Sequence, residues 1–240
     1  MKNFEVVSFA TADELARAAA TAWIGEVEAA NRAAKSHSMA LSGGRITQKF
    51  LPIVVELARA RNCSLENVHF FWADERCVPP DNSESNFLMA QELLFAPLKI
   101  SGQQIHRIRG EESPETAANM AQEEICRIVP LNESGQPVID LIFLGLGEDG
   151  HTASLFPGEP EEISQNPAVY RAVLNSPKPP PERVTLGFSA IAAAKKVWML
   201  ASGQAKQAAL RESISPEGKT PFARVLRMRS QTRIFSDVAV

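Results

Sequence analysis

Short apolar segments rich in β-branched and aromatic residues alternate along this chain with alanine- and glutamate-rich segments of helical character. The predicted strands are FEVVSF (4–9), HSMALS (37–42), VHFFWAD (68–74), DLIFLGL (140–146), RVTLGF (183–188) and KVWMLAS (196–202), with a weaker TRIFSD near the end. Several are continuously apolar, which is typical of strands covered on both faces. The alternation predicts an α/β fold with an open, mostly parallel sheet and helices on both faces.

Helices are predicted between these strands. The first begins at Thr11, whose spacing from Glu14 is that of a capping box, and further helices are expected at about 52–61, 86–95, 114–129 and 204–213. The segment 157–182 is the least regular, and NSPKPPPERV predicts a rigid, proline-rich connector into the next strand. The length of 240 residues favours one domain that covers residues 1–240.

The composition limits the kinds of partner and site. A net charge of −3 gives no broad attraction to nucleic acid or anionic lipid, so any basic site is expected to be local. Cys63, Cys77 and Cys126 are far apart and form no CxxC pair, which argues against a disulfide framework or a cysteine zinc site. The sequence has neither a signal-peptide core nor an apolar run of bilayer length. A cytoplasmic location without membrane or nucleic-acid partners is predicted.

Ligands of open α/β sheets bind beyond the carboxyl ends of the strands, and four loops at such positions carry unusual residues. The loop after the second strand, SGGRIT, contains Ser42, Gly43, Gly44, Arg45 and Thr47. Its glycines allow close approach to the backbone, its side chains add donors, and the start of the following helix favours an anion. It is not a Walker A loop, because GxxxxGK[ST] is absent. A plain polar-capped turn is the alternative.

Charged residues mark two further strand ends and one strand beginning. In WADERC, Asp74 and Arg76 follow the third strand, and the long loop after them contains two prolines that favour an extended wall of a site. A surface salt-bridge cluster is the alternative. In ASGQAKQAAL, Lys206 falls in the first turn of a helix, where the helix dipole disfavours a cation unless an anion is bound. Arg183 enters its strand after the prolines and is a further candidate cation.

The loop after the fourth strand, GLGEDGHTASLFPG, contains the dinucleotide pattern GxGxxG at Gly145, Gly147 and Gly150. A dinucleotide site also needs a helix that continues directly from the glycines and an acid about 20 residues later. Here a Pro-Gly pair at 157–158 interrupts, and Tyr170 stands near the place of the acid. The sequence therefore argues against a dinucleotide cofactor.

Asp149 and His151 in the same loop indicate acid–base chemistry. Their spacing suits an acid that orients an imidazole, or an acid and a base used separately. His37, His69 and His106 lack such neighbours and are expected to be structural. The sequence contains no HxxxH, HxH or cysteine set for a metal and no GxSxG nucleophile elbow. The residues alone predict a small phosphorylated, sugar-like ligand and acid–base chemistry without a metal.

These motifs, in this order, resemble those of the 6-phosphogluconolactonase family. The matching segments are LSGGRIT, ADERCVPPDNSESN, LGLGEDGHTASLFPG, PPERVTLGF and ASGQAKQAAL, which span residues 41–210. The resemblance implies a Rossmann-like fold similar to that of glucosamine-6-phosphate deaminases and ribose-5-phosphate isomerase-like proteins. It also implies hydrolysis of 6-phosphogluconolactone in the oxidative pentose phosphate pathway without a metal or organic cofactor. A monomer and a homodimer both remain open.

The resemblance also implies roles for individual residues. His151 is expected to be the general base for water that attacks the lactone carbonyl, with Asp149 holding its imidazole. Arg76, with backbone N–H groups, is expected to stabilise the oxyanion, and Asp74 to bind sugar hydroxyls or order the loop. The expected phosphate cradle consists of Ser42, Gly43, Gly44, Arg183 and Lys206. The family usually continues Gly-Gly-Ser-Thr-Pro, so Arg45 is a departure that either adds a phosphate contact or points to solvent.

Two other functions fit part of this pattern. Glucosamine-6-phosphate deaminases resemble this chain in the Asp-Gly-His loop but carry Phe-Asn-Glu-Pro after the histidine. Here Ser154, Leu155 and Phe156 precede Pro157, so the ring-opening glutamate is missing. A sugar-phosphate sensor would normally carry an additional DNA-binding domain and has no need of a base such as His151.

Overall fold

The chain folds around a central sheet of six parallel strands, and a computed structural model describes its residues 3–239. The strands are β1 (Phe4–Ser8), β2 (His37–Leu41), β3 (Val68–Trp72), β4 (Asp74–Arg76), β5 (Leu141–Gly145), β6 (Tyr170–Val173), β7 (Arg183–Leu186), β8 (Lys196–Ala201) and β9 (Thr232–Ser236). The central sheet has the order β1-β9-β8-β5-β2-β3, with every neighbouring pair parallel. The predicted mostly parallel α/β fold is confirmed.

Helices connect and cover these strands. They are α1 (Ala12–Arg32), α2 (Arg45–Ala60), α3 (Asn86–Ala90), α4 (Ala96–Leu98), α5 (Pro114–Ile128), α6 (Glu161–Ser164), α7 (Phe188–Ala193), α8 (Gln207–Ile214) and α9 (Pro221–Met228). A π-helical turn (Gln91–Phe95) joins α3 to α4, and 3-10 turns lie at Gly102–Gln104 and Gln204–Lys206. None of the helices formed by residues 3–239 is long and apolar enough to cross a membrane.

Two helix starts test the sequence signals directly. Thr11 caps α1 as predicted, since its Oγ1 accepts a hydrogen bond from the Glu14 N–H at 3.2 Å. The predicted start of α2 near residue 52 is wrong, because the helix already begins at Arg45. Gly44 is its N-cap, with a φ of 104° that glycine adopts readily, and Pro52 lies inside the helix rather than at its start.

The core explains why the strands read as continuous apolar runs. All five residues of β2 are buried, as expected for a central strand covered on both faces. Aromatic rings connect the helices to the sheet: the Trp23 ring of α1 and the Phe143 ring of β5 both pack against Phe50 of α2, at centroid distances of 6.3 Å and 4.7 Å. This packing fixes the central strands, and therefore the loops at their carboxyl ends.

A second, antiparallel sheet of order β4-β7-β6 was not expected from the sequence. RVTLGF, expected in the parallel sheet, forms β7 here instead. β4 lies in a segment expected to be loop, and β6 in the segment expected to be irregular. These strands have only three or four residues, and β4 is entirely charged, so neither gives the apolar signal of a strand. In the register of this sheet, Arg76 lies directly opposite Arg183.

Candidate active site

The four predicted loops follow β3, β2, β5 and β8, which are neighbours in the central sheet, and they meet around one cavity. The cavity has a volume of about 380 Å³. Most of the predicted site residues line it, namely Ser42, Gly43, Gly44, Arg45, Asp74, Arg76, His151, Arg183 and Lys206. Arg183 comes from the second sheet, which therefore forms part of the wall.

His151 and Asp149 form a hydrogen-bonded pair at this wall. His151 Nδ1 lies 2.5 Å from Asp149 Oδ1, while the imidazole ring packs against Phe156 at a centroid distance of 4.9 Å. Asp149 itself lies behind the ring and does not line the cavity. His151 Nε2 has no hydrogen-bond partner among residues 3–239. Because the Asp149 carboxylate accepts a hydrogen bond from Nδ1–H, the neutral imidazole has its lone pair on Nε2, where it is available to a ligand or water.

Burial and charge act in opposite directions on this pair. Burial lowers the pKa of His151, and the hydrogen bond and charge of Asp149 partly oppose this. Burial is the largest single influence on Asp149 and would raise its pKa, but the hydrogen bonds and charge of His151 together with the charge of Lys178 outweigh it, and the pKa of Asp149 is lowered. Lys178 lies next to the other carboxylate oxygen of Asp149, with Nζ 3.4 Å from Oδ2. The pair therefore combines an ionised acid with a neutral imidazole near pH 7.

The glycines of this loop make room for the pair. A Cβ on Gly147 would lie 2.0 Å from His151 Nδ1, and a Cβ on Gly150 would lie 2.4 Å from a Thr220 methyl carbon. Gly150 also has a φ of 82°. After it the chain forms an isolated bridge between Thr152 and Leu155 instead of a helix. The helix that a dinucleotide pyrophosphate requires is absent from this part of the structure, which agrees with the sequence argument against that cofactor.

The start of α2 presents backbone N–H groups of a kind suited to an anion. Gly44 caps the helix without a side-chain hydrogen bond, and the N–H groups of a first helical turn have no carbonyl partner within the helix. Gly43 has no room for a side chain, because its Cβ would lie 2.0 Å from Asn86 Oδ1. The hydroxyls predicted as ligand donors are used within the protein: Ser42 donates to the Phe143 carbonyl at 2.8 Å, and Thr47 donates to the Gly43 carbonyl at 3.2 Å. Thr47 does not line the cavity.

Cationic side chains surround the start of α2. Arg183 is almost fully buried and donates through Nε and Nη2 to the carbonyls of Lys178, Pro179 and Pro180 at 3.0–3.1 Å. Lys206 has no hydrogen-bond or ion-pair partner among residues 3–239. Burial lowers the pKa of Lys206, an effect that the charge of Glu148 opposes. A buried arginine and a half-buried lysine, both without carboxylate partners in the described structure, favour a site for an anion.

Three further polar residues of the cavity were missed from the sequence. Lys49 lies one helical turn after Arg45 on α2, and the i,i+4 spacing would have revealed it had the start of α2 been placed correctly. Asn86 and Ser202 also line the cavity. Asn86 follows a long polar loop, and Ser202 ends a strand, so neither carries a sequence signal of its own.

Asp74 and Glu75 are buried, so the alternative of a surface charge cluster is wrong for them, although Arg76 is half-buried and its Nη1 forms an ion pair with Glu84 Oε2 at 3.4 Å. Asp74 is 5% exposed, and its Oδ2 accepts a hydrogen bond from Ser154 Oγ at 2.7 Å. Burial raises the pKa of Glu75 to about 7, although its carboxylate accepts hydrogen bonds from the backbone N–H groups of Asn86, Arg76 and Phe87. Glu75 of β4 thus holds the end of the long loop, at the start of α3, next to its own strand.

Arg76 has an incompletely used guanidinium at the cavity wall. Its Nη1 donates to the Glu84 carbonyl at 2.6 Å. Its buried Nε–H has no hydrogen-bond partner within residues 3–239. The Arg76 side chain lines the cavity, and a ligand oxygen that approached this unpaired donor would give it a partner.

Comparisons with known proteins identify the relatives of this chain. Residues 10–235 match a family model described as "Glucosamine-6-phosphate isomerases/6-phosphogluconolactonase". A 6-phosphogluconolactonase of Haemophilus influenzae is 34% identical over 185 residues, which cover 77% of this chain and 76% of that protein. The structure of a 6-phosphogluconolactonase from Trypanosoma brucei has a TM-score of 0.83 at 27% identity and covers 98% of this chain and 97% of its own.

A monomeric glucosamine-6-phosphate deaminase, at 18% identity and a TM-score of 0.80, is similar in fold over 97% of this chain and 96% of its own. The α/β fold shared with deaminases is thereby confirmed. The match along residues 10–235 and the similarity to the Haemophilus protein together show the family. The chain belongs to the glucosamine-6-phosphate isomerase/6-phosphogluconolactonase family.

Proposed function

We propose that this protein is a carboxylic ester hydrolase that converts 6-phospho-D-glucono-1,5-lactone to 6-phospho-D-gluconate, a step of the oxidative pentose phosphate pathway. One observation carries the proposal: the Asp149–His151 pair lies in the same cavity as Arg183 and Lys206. A base and an anion-binding region in one cavity suit a phosphorylated substrate with an electrophilic carbonyl. The names of the relatives, 6-phosphogluconolactonases of bacteria and a trypanosome, supply the specific substrate.

In this reaction His151 is the general base. Its Nε2 takes a proton from a water molecule whose oxygen bonds to the lactone carbonyl carbon, while Asp149 stabilises the imidazolium that forms. The tetrahedral intermediate collapses when the bond from this carbon to the ring oxygen breaks. The imidazolium then returns its proton to the ring oxygen, which becomes a hydroxyl of the product. The burial that keeps His151 neutral near pH 7 favours the first of these steps.

The remaining residues bind and orient the substrate. The free Nε–H of Arg76 is suited to the oxyanion of the tetrahedral intermediate. Asp74 accepts hydrogen bonds from sugar hydroxyls. The phosphate is held by the start of α2 together with the cations of its surroundings, Arg45, Lys49, Arg183 and Lys206. In this assignment Arg45 adds a phosphate contact instead of pointing to solvent.

The test is the rate of hydrolysis of freshly generated 6-phosphogluconolactone, corrected for its spontaneous opening. We expect His151→Ala to lower kcat by about 10²–10⁴-fold with nearly unchanged KM, because a general base acts in the transition state. His69→Ala, which removes a half-buried histidine outside the cavity, serves as the control. A normal rate in His151→Ala would remove this residue from the mechanism.

The same preparation should be tested with glucosamine 6-phosphate for release of ammonia. Ammonia release without lactone hydrolysis would replace the proposal by deaminase chemistry. If the wild-type protein binds either compound but converts neither, a sensor function would replace it. We also propose that residues 1–240 form a single domain, since most of the buried apolar residues of the described structure belong to one connected core.

A further inference from the structure

Two buried side chains of opposite charge line the cavity on neighbouring strands of the small sheet. Asp74 of β4 is 5% exposed and Arg183 of β7 is 4% exposed. Buried charges of opposite sign attract strongly where water is excluded, so a direct ion pair would be the simplest arrangement. Within residues 3–239, however, Asp74 and Arg183 form no direct ion pair.

The Ser154 hydroxyl is hydrogen-bonded to both Asp74 and Arg183. It donates a hydrogen bond to Asp74 Oδ2 at 2.7 Å and accepts one from Arg183 Nη1 at 3.4 Å. The side chain is fully buried, and the Ser154 N–H donates to Thr185 Oγ1 at 3.1 Å. Thr185 lies directly opposite Asp74 in the register of the sheet. The hydroxyl is therefore fixed between the carboxylate and the guanidinium.

The remaining contacts of Arg183 show what this separation preserves. Nε and Nη2 are already bound to backbone carbonyls of the proline-rich connector, so Nη1 is the part of the guanidinium left for a ligand. A direct bond to Asp74 would use Nη1 and neutralise its charge. It would also occupy the carboxylate that is proposed to bind sugar hydroxyls.

We infer that Ser154 is a positioning residue whose hydroxyl keeps Asp74 and Arg183 apart, so that both charges remain available to the substrate. This inference rests on the proposed function for the identity of the substrate. The anion-binding part of it concerns Arg183 alone and is testable with inorganic phosphate.

The first variant is Ser154→Ala, which removes the hydroxyl and lets the two charges pair. We expect its Kd for inorganic phosphate, measured by isothermal titration calorimetry, to rise about tenfold, the usual loss for a hydrogen bond to a charged group. In lactone hydrolysis KM should rise by a similar factor, with a smaller change in kcat. Ser38→Ala is the matched control, because Ser38 Oγ also donates to a carboxylate, Asp140 Oδ2 at 2.9 Å, and lies outside the cavity.

A double-mutant cycle separates this role from a merely structural one. Asp74→Asn removes the charge with which Arg183 would pair. Adding Ser154→Ala to Asp74→Asn should therefore leave the Kd for phosphate at the value of Asp74→Asn alone. If the two single variants weaken phosphate binding independently, the loss of binding free energy in the double variant will equal the sum of the two single losses. This result would overturn the inference.

The two proposals fail in different ways. If the wild-type protein does not hydrolyse the lactone, the proposed function fails, while the phosphate Kd values still test Ser154. If the wild-type protein hydrolyses the lactone and Ser154→Ala binds phosphate as tightly as wild type, the inference about Ser154 fails alone. Thermal denaturation of each variant establishes that the compared proteins are folded.

Discussion

Gly147 offers the sharpest test of the proposed base, because an alanine there would displace the His151 ring while leaving the imidazole itself in the protein. The new Cβ would lie 2.0 Å from His151 Nδ1, 2.3 Å from Cε1 and 2.4 Å from Asp149 Oδ1. Ordinary contact of a Cβ begins at 3.4 Å, so the imidazole contact is too short by 1.4 Å. Since the backbone of Gly147 is not in the left-handed region, alanine fits its conformation and the ring has to move instead.

A displacement of about 1 Å in a reacting group can cost roughly 10²-fold in rate. We therefore expect Gly147→Ala to lower kcat for lactone hydrolysis by about 10²-fold, with KM and the melting temperature changed little. The loss in kcat follows from a base that no longer faces the carbonyl. Initial rates over a range of fresh lactone concentrations, corrected for spontaneous opening, measure both constants.

Gly145→Ala is the matched control, because Gly145 lines the same cavity but its Cβ would meet only the Gly43 carbonyl oxygen, at 3.9 Å. Its rate should stay near that of the wild type. If Gly147→Ala also keeps a normal kcat, the position of the ring does not govern catalysis and the reasoning is refuted. An equal loss of kcat in Gly147→Ala and Gly145→Ala would show that the effect comes from a general change in the loop and not from displacement of His151.

Two further predictions concern charge. Lys206→Ala should raise KM for the lactone with little change in kcat, because Lys206 is proposed to contact the phosphate in the ground and transition states alike; a fall in kcat alone, seen in the same initial rates, contradicts this. Burial lowers the pKa of His151 below 6.5, the ordinary value for histidine. Activity is lost as the pH falls through this lowered pKa, so the midpoint of the acid limb of kcat/KM should lie below pH 6.5. The charge of Lys178 lowers the pKa of His151, so Lys178→Met should move this limb to higher pH, whereas Lys178→Arg should leave it in place. Coincident pH profiles of the wild type and these two variants would show that Lys178 has no such effect.

The sequence predicted the parts of the site that depend on local signals. Gly43, Gly44 and the Asp149–His151 pair follow strand ends, and strand ends of a parallel sheet meet at one edge whatever the side chains are. The strands themselves were predictable because burial on both faces leaves a continuous apolar run. The existence of the cavity therefore followed from pattern and topology alone.

The missed features depend on contacts between distant segments. β6, a strand of four residues, was not predicted. β7 was predicted as a strand but placed in the parallel sheet, because a local pattern does not record which strand pairs with it. Lys49 was hidden because Pro52 is typical of a helix start, although here it lies inside α2. The contact of Ser154 with Asp74 joins residues 80 positions apart, so its role was invisible in either segment.

The register of the small sheet also has a consequence for the energetics of binding. Arg76 and Arg183 lie directly opposite each other on β4 and β7, and like charges at such positions repel. The charge of Arg76 accordingly lowers the pKa of Arg183, although burial is the larger cause. In the proposed function the phosphate lies at Arg183 and the oxyanion at Arg76, so the substrate would add negative charge beside each guanidinium group and weaken this repulsion. The melting temperature of the protein is therefore expected to rise when a phosphorylated ligand binds.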